Sequence, residues 1–150
     1  MIVSGKKDEL VKQAQEAMQD ENLAEALAER IEARRGGLGF LLSALKKRPR
    51  TFNPHVLKGI SLYDEPSALD RKTAELVAVS AASALRCEQC LDAHIDGALR
   101  AGAGLEEILD ALLISAAITE SSTLAVALRR FRLKEGKAQK LQRGKEEGGA

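Results

Sequence analysis

The sequence predicts an all-α fold, and its composition and periodicity both support this class. Of its 150 residues, 45% are hydrophobic but only 3% are aromatic. The core must therefore be built from Ala, Leu, Val and Ile, which suits closely packed helices. Apolar residues recur at helical spacing, and no alternating pattern is long enough to predict a strand. The length is that of one domain.

Residues 1–50 are expected to form an N-terminal helical extension that packs on the core. Apolar residues four positions apart predict a helix over residues 7–35, which Gly36 and Gly37 should end. A short apolar helix over residues 40–45 should stop at a basic cluster. Pro54 is then expected in the first turn of the next helix, where proline is favoured.

Residues 51–133 are expected to form the helical core. Asp70 is a suitable N-cap for a helix in which residues 76–85 are almost entirely apolar, as in a core helix. Three glycines, Gly97, Gly102 and Gly104, should punctuate the region that follows.

The last part of the core is predicted to hold two further helices. The first carries a broad apolar stripe from Leu105 to Leu113. Ser121 or Ser122 is expected to cap the second. Residues 134–150 lose the apolar pattern and are rich in Lys, Arg, Glu and Gly, so we expect a charged, flexible tail.

Four residues in the middle of the chain could act together chemically. Cys87 and Cys90 are three residues apart and His94 follows four residues later, so on a helix all three share one face. Glu75 would lie about 18 Å from Cys87 on a straight helix, too far to act on the thiols. We therefore expect the chain to break near residues 85–87 and fold back. The break would also put Cys87 at a helix N-terminus, which favours a thiolate.

The constellation Glu75, Cys87, Cys90 and His94 resembles the signature of the AhpD-like alkylhydroperoxidases, within the carboxymuconolactone decarboxylase superfamily. The resemblance covers roughly residues 54–130 and includes the order of segments LVAVSAASAL, CEQCLDAH, AGAG and LEEILDALLISAAI. Decarboxylases of the superfamily usually lack the cysteine pair, which argues against that activity here. Some members carry a His between the cysteines, where Glu88 and Gln89 stand in this chain.

The resemblance implies a compact AhpD-like helical domain that reduces alkyl hydroperoxides without a cofactor or metal. Its catalytic residues would be Glu75, Cys87, Cys90 and His94. His94 would accept a thiol proton, with Glu75 orienting it or taking its proton. A lipoyl-type or thioredoxin-like dithiol would reduce the disulfide of Cys87 and Cys90 after each turnover. We expect Cys90 to attack the peroxide, because it is close to His94, and Cys87 to resolve the sulfenic acid. The resemblance also implies a homo-oligomer, a trimer or hexamer, with the 105–113 stripe or the N-terminal helix as its interface.

Two alternatives remain at this point. The Cys, His and Glu side chains could ligate zinc, although this compact spacing lacks the second pair of ligands usual in structural sites. The chain could also be a non-enzymatic helical oligomer with an incidental thiol pair.

The remaining expectations concern location and macromolecular partners. A net charge of +1 gives no field directed at nucleic acid or a membrane surface. The N-terminal sequence lacks the apolar region of a signal peptide. No uninterrupted run of eighteen apolar residues occurs, so we expect no membrane span. We therefore expect a cytoplasmic protein.

Overall fold

The computed structural model describes residues 2–147 and confirms the all-α class: this part of the chain holds seven α-helices and no strand. A short π-helical segment, Ile60–Asp64, follows the fourth helix. The helices are α1 (Ile2–Gln19), α2 (Glu21–Arg35), α3 (Gly39–Lys46), α4 (Pro49–Gly59), α5 (Arg71–Ala84), α6 (Glu88–Arg100) and α7 (Leu105–Glu147).

The chain divides into two compact units, one up to Ala74 and one from Glu75 onward. Each unit has its own cluster of buried apolar side chains. The division of the chain into an extension over 1–50, a core over 51–133 and a tail stays a prediction.

The first unit is organised around α4, which packs against α1, α2 and α3. Its core consists of buried side chains from α2 and α4: Ala24, Leu27, Ala28, Phe52 and Val56. Asn53 is completely buried and donates from its amide nitrogen to the carbonyls of Ala17, Met18 and Asp20. These carbonyls lie at and just beyond the end of α1, so the hydrogen bonds of Asn53 fix this end of α1 to α4.

Two predicted helix boundaries in this unit are wrong. The single helix expected over 7–35 is divided at Asp20, whose carboxylate accepts from the backbone N–H groups of Asn22 and Leu23 as an N-cap. The expected end at Gly36 is confirmed, since this glycine has φ 78°. The helix that was expected to start at Pro54 is α4. It begins at Pro49, so Pro54 lies inside it.

Asp70 is the N-cap of α5, as predicted. Its carboxylate accepts from the backbone N–H of Thr73 at 3.0 Å and from the Thr73 hydroxyl at 2.6 Å. These hydrogen bonds, the hydroxyl contributing most, lower the pKa of Asp70 below its ordinary value of 3.8.

The second unit contains most of α5, followed by α6 and α7. Its core consists of small and branched apolar side chains, namely Val79, Ala98, Ala103 and Ile108. Ser115 of α7 is buried and donates to the carbonyl of Ser80 in α5 at 2.7 Å. This hydrogen bond satisfies a buried hydroxyl and fixes the start of α7 against α5.

The reversal between α5 and α6 occurs within three residues. Arg86 has φ 55°, the left-handed conformation that glycine usually supplies at a helix end. The N–H of Arg86 donates to the carbonyl of Ser83, and the N–H of Cys87 donates to the carbonyl of Ala82. This pair of hydrogen bonds is the Schellman arrangement, which ends α5 and turns the chain back. The predicted break near residues 85–87 is thereby confirmed.

Two predictions for the region after His94 are wrong. Gly97 does not interrupt α6, which continues to Arg100, and the turn that follows uses Gly102 at φ 86°. Neither Ser121 nor Ser122 begins a new helix, because α7 is continuous from Leu105. The hydroxyls of Thr119 and Thr123 donate to carbonyls four residues earlier, so polar side chains here are satisfied within the helix.

Most of the large apolar side chains of α7 are exposed to solvent in a single chain. Ile108 and Ser115 are buried, whereas ten large apolar side chains elsewhere on the helix are exposed. These are Leu105, Leu109, Leu113, Ile114, Ile118, Leu124, Val126, Leu128, Phe131 and Leu133. A helix that is apolar all round is normally enclosed, either in a larger assembly or in a membrane.

Length and composition alone would let one helix in the described part of the chain cross a membrane. This helix is α7 over Leu105–Gln139, which has a window of mean hydropathy 1.7 that is 6% buried. One such helix is weak evidence for a span, because helices enclosed in soluble proteins meet the same criterion.

The left-handed residue between α5 and α6 leads to a prediction about stability. Arg86→Gly should raise the free energy of unfolding by about 1 kcal/mol, because glycine adopts this conformation without the steric cost that a Cβ imposes. Urea unfolding of the parent and variant measures the difference. Arg86→Ala is the matched control, since it removes the side chain but keeps the Cβ, and it should give no comparable gain. Equal effects of the two substitutions would attribute the change to the side chain.

A second prediction concerns the Asp70 cap and pH. Because the folded-state pKa of Asp70 is lowered, its ionised form stabilises the protein above its ordinary pKa of 3.8. This contribution should disappear as the pH falls through the lowered folded-state value. Asp70→Asn retains a capping oxygen but cannot titrate, so its urea-unfolding deficit relative to the parent should shrink between about pH 6 and pH 3. A deficit that stays constant would contradict this.

Candidate active site

Glu75 is a buried carboxylate on an apolar helix. It is 2% exposed, and Ala78, Val79 and Ala82 on the same side of α5 are buried with it. A charged group in such surroundings is costly unless a hydrogen-bonding partner compensates for the lost water. The position of Glu75 therefore requires a specific partner from another element.

That partner is His94 on α6. Its Nδ1 lies 2.8 Å from Oε2 of Glu75, and the two side chains are 14% and 3% exposed. The residues are nineteen positions apart in sequence and meet only because the chain reverses at Arg86. The expected return of Glu75 toward the cysteine helix is thus confirmed.

The contact determines which nitrogen of a neutral His94 carries the proton. A carboxylate only accepts hydrogen bonds, so Nδ1 donates and Nε2 becomes the basic nitrogen of the ring. An imidazole held in this tautomer and orientation by a carboxylate is suited to receive a proton from a neighbouring group. Glu75 and His94 therefore form a pair that can take up and return protons.

Cys87 and Cys90 are joined in a disulfide, with Cα atoms 5.2 Å apart. Cys87 is the N-cap of α6, and its Sγ accepts from the backbone N–H of Cys90 at 3.3 Å. In the reduced protein, the same N–H group and the helix N-terminus would favour a negatively charged sulfur at this position.

Cys90 lies one helical turn before His94 on the same side of α6. Both cysteines are half-buried. Cys90 therefore has the imidazole as its nearby titratable group, whereas Cys87 has the N-terminus of the helix. The sequence-predicted residues Glu75, Cys87, Cys90 and His94 all lie in the second unit, as one hydrogen-bonded pair and one disulfide.

Gly97 is a site residue that sequence reasoning missed. It lies one turn after His94, and an ideal Cβ built on it would come within 2.5 Å of Cδ and Oε1 of Glu75 and 2.6 Å of Oε2. The Glu75 carboxylate therefore lies directly against the backbone of Gly97. The available signal was a glycine within an amphipathic helix, three residues after the histidine.

The zinc alternative finds no support in the described side chains. Among them, no group of three or more His, Cys, Asp and Glu residues is arranged to hold a metal ion. The two sulfurs that would serve as ligands are bonded to each other.

Comparison with known proteins places this site in a family. A curated relative from Paracoccus denitrificans, "Uncharacterized protein 4 in cox locus", is 37% identical over 60 residues, which are 40% of this chain and 54% of that protein. The matched stretch thus spans about half the length of the relative. No solved structure gives a significant match. The model of the Carboxymuconolactone decarboxylase family matches residues 55–132, more than half of the chain and including all four predicted site residues. The chain therefore belongs to the carboxymuconolactone decarboxylase family.

Proposed function

We propose that the protein is an AhpD-like, thiol-dependent peroxidase that reduces alkyl hydroperoxides through the Cys87–Cys90 pair. The observation that carries this proposal is the buried Glu75–His94 contact at 2.8 Å on the helix that holds the disulfide. A structural disulfide needs no proton-transferring pair beside it, whereas a redox pair that cycles through thiolate does.

The first step is attack on the peroxide. In the reduced protein, His94 accepts the proton of Cys90, and the thiolate attacks the terminal oxygen of the hydroperoxide. The O–O bond breaks, and the departing alkoxide takes the proton from His94 to leave as an alcohol. Cys90 is then a sulfenic acid. Glu75 keeps the imidazole in the tautomer that this transfer needs.

The second step closes the disulfide. The sulfur of Cys87 attacks the sulfenic sulfur of Cys90, and the hydroxyl leaves as water with the proton that Cys87 gives up. The product is the Cys87–Cys90 disulfide. A dithiol of the lipoyl or thioredoxin-like type then reduces this disulfide by exchange and is itself oxidised. Over the cycle, one peroxide becomes an alcohol and water while one external dithiol becomes a disulfide.

A simple measurement separates this proposal from the two alternatives. In a peroxidase, free-thiol titration of the reduced protein should lose both thiols after one equivalent of peroxide and regain them with a dithiol. A non-enzymatic helical protein should keep its thiols under the same mild treatment. A zinc protein should release metal as the thiols are lost.

We further propose that the partner of the exposed apolar surface of α7 is a second copy of the chain. From residue 105 to 128, the helix carries Glu106, Glu107, Asp110 and Glu120 but no Lys or Arg; residues 129–137 carry five basic residues and one Glu. Two such helices in antiparallel arrangement bring the acidic part of one beside the basic part of the other.

This charge arrangement bears on the expected trimer or hexamer. Antiparallel pairing of identical helices is a two-fold, isologous contact, which requires an even number of subunits in a closed assembly. It therefore favours the hexamer over the trimer.

The reaction scheme predicts different defects for four substitutions. Cys90→Ser should abolish the initial attack, and Cys87→Ser should leave a sulfenic acid at Cys90 that cannot close. His94→Ala should slow sulfenic acid formation most at low pH, with a defect that shrinks toward the ordinary thiol pKa of about 8.5. Glu75→Gln should give a milder form of the same defect, because it acts on Cys90 only through His94. Sulfenic acid trapping across about pH 6 to 9 measures each case.

Two results of that experiment would contradict the scheme. Trapping at Cys87 in the Cys90→Ser protein, with none ever found at Cys90, would reverse the roles of the thiols. A His94→Ala protein that reacts like the parent at every pH would assign the histidine a purely structural role.

The assembly proposal predicts that Leu113→Glu and Leu124→Glu should lower the mass measured by light scattering at micromolar concentration. Both leucines are at least half exposed in the single chain, so the monomer should tolerate the change. Leu62→Glu, at an exposed leucine in the other unit, is the control and should leave the mass unchanged. A parent protein that is monomeric, or that sediments with phospholipid vesicles, would refute the assembly.

A further inference from the structure

Gly97 stands out because a glycine inside a helix lowers its stability without an apparent need for backbone freedom. It is buried in the middle of α6 and does not have a positive φ. Alanine would favour the helix more. The reason for a glycine must therefore lie in what a side chain would meet.

The space in which a side chain would lie is occupied by the Glu75 carboxylate. The three heavy atoms nearest to an ideal Cβ at Gly97 are Cδ, Oε1 and Oε2 of Glu75, at 2.5, 2.5 and 2.6 Å. Carbon and oxygen atoms do not approach this closely without repulsion, so a Cβ and the carboxylate cannot both keep these positions. The same carboxylate makes the 2.8 Å contact with His94.

We infer that Gly97 is a positioning residue for the reaction: the absence of its side chain lets the Glu75 carboxylate reach His94 and hold its tautomer. This inference rests on the proposed function for its catalytic consequence, but its geometric part does not depend on turnover. Gly97 itself touches neither the sulfurs nor a substrate in this role.

The direct test is Gly97→Ala. The new Cβ should displace the carboxylate, which is the far end of a flexible side chain, and break its contact with His94. The ring ¹⁵N chemical shifts of His94 in the disulfide form report its tautomer, and they should change toward those of Glu75→Ala, which lacks the carboxylate. Parent-like shifts in Gly97→Ala would overturn the inference.

The catalytic consequence is measured in the Cys87→Ser background, where sulfenic acid at Cys90 accumulates. Gly97→Ala should slow its formation about 10- to 100-fold, the range found when the group that orients a functional histidine is lost. Combining it with Glu75→Ala should add little to the effect of Glu75→Ala alone, because both changes remove the same contact. An unchanged rate, or full additivity, would contradict a positioning role even if the ¹⁵N shifts move.

Gly59→Ala is the matched control. Gly59 is also a helical glycine, in α4 of the other unit, and its added Cβ would meet only Cδ2 of Tyr63, at an ordinary contact distance of 4.0 Å. It should leave both the ¹⁵N shifts and the rate as in the parent. A similar change in both glycine variants would show a general effect of alanine on the helices and overturn the assignment to Gly97.

A stability cycle keeps the inference testable if Gly97→Ala folds poorly. In the Glu75→Ala background the carboxylate is gone, so Gly97→Ala should raise stability there and lower it in the parent. The same sign in both backgrounds would overturn the steric argument. If the parent does not react with peroxide, the proposed function fails, whereas the ¹⁵N shifts and this cycle still decide whether Gly97 makes room for the Glu75–His94 contact.

Discussion

The hydrogen-bonded pair of Glu75 and His94 is the interaction on which the second unit depends. A carboxylate that is 2% exposed among apolar neighbours needs a partner, and the partner lies on the next helix. The sharp reversal between α5 and α6 brings this partner within hydrogen-bonding distance. The position of the carboxylate also explains Gly97, since the carboxylate occupies the space of the missing side chain.

The turn at Arg86 positions two of the candidate site residues, His94 and Cys87. It turns the chain back so that His94 reaches Glu75, and it places Cys87 at the N-cap of α6. Arginine in a left-handed conformation costs about 1 kcal/mol relative to glycine, which the contacts on either side of the turn must offset. The Glu75–His94 contact and the helix-terminal position of Cys87 thus both follow from the same three-residue turn.

The all-α class and the proximity of the four candidate residues could be predicted because both depend on spacing along helices. The helix ends were harder, because they depend on single residues that compete with the apolar pattern. Asp20 divides a segment whose periodicity is continuous, and Arg86 ends a helix where no glycine or proline marks the end. The role of Gly97 could not be predicted from sequence, because it depends on a carboxylate twenty-two residues away that only the tertiary fold brings near.

The reversal also gives the two cysteines different surroundings, and in the proposed peroxidase reaction this difference sets their order of action. In the reduced protein, the backbone N–H of Cys90 and the N-terminus of α6 would favour an anionic sulfur at Cys87, so in that reaction Cys87 suits the leaving role when an external dithiol opens the disulfide. In the same proposal, Cys90 becomes a thiolate by giving a proton to His94, which returns it to the departing alkoxide. A step that removes and returns one proton suits Cys90, because this sulfur lies one helical turn before an imidazole that is hydrogen-bonded to Glu75.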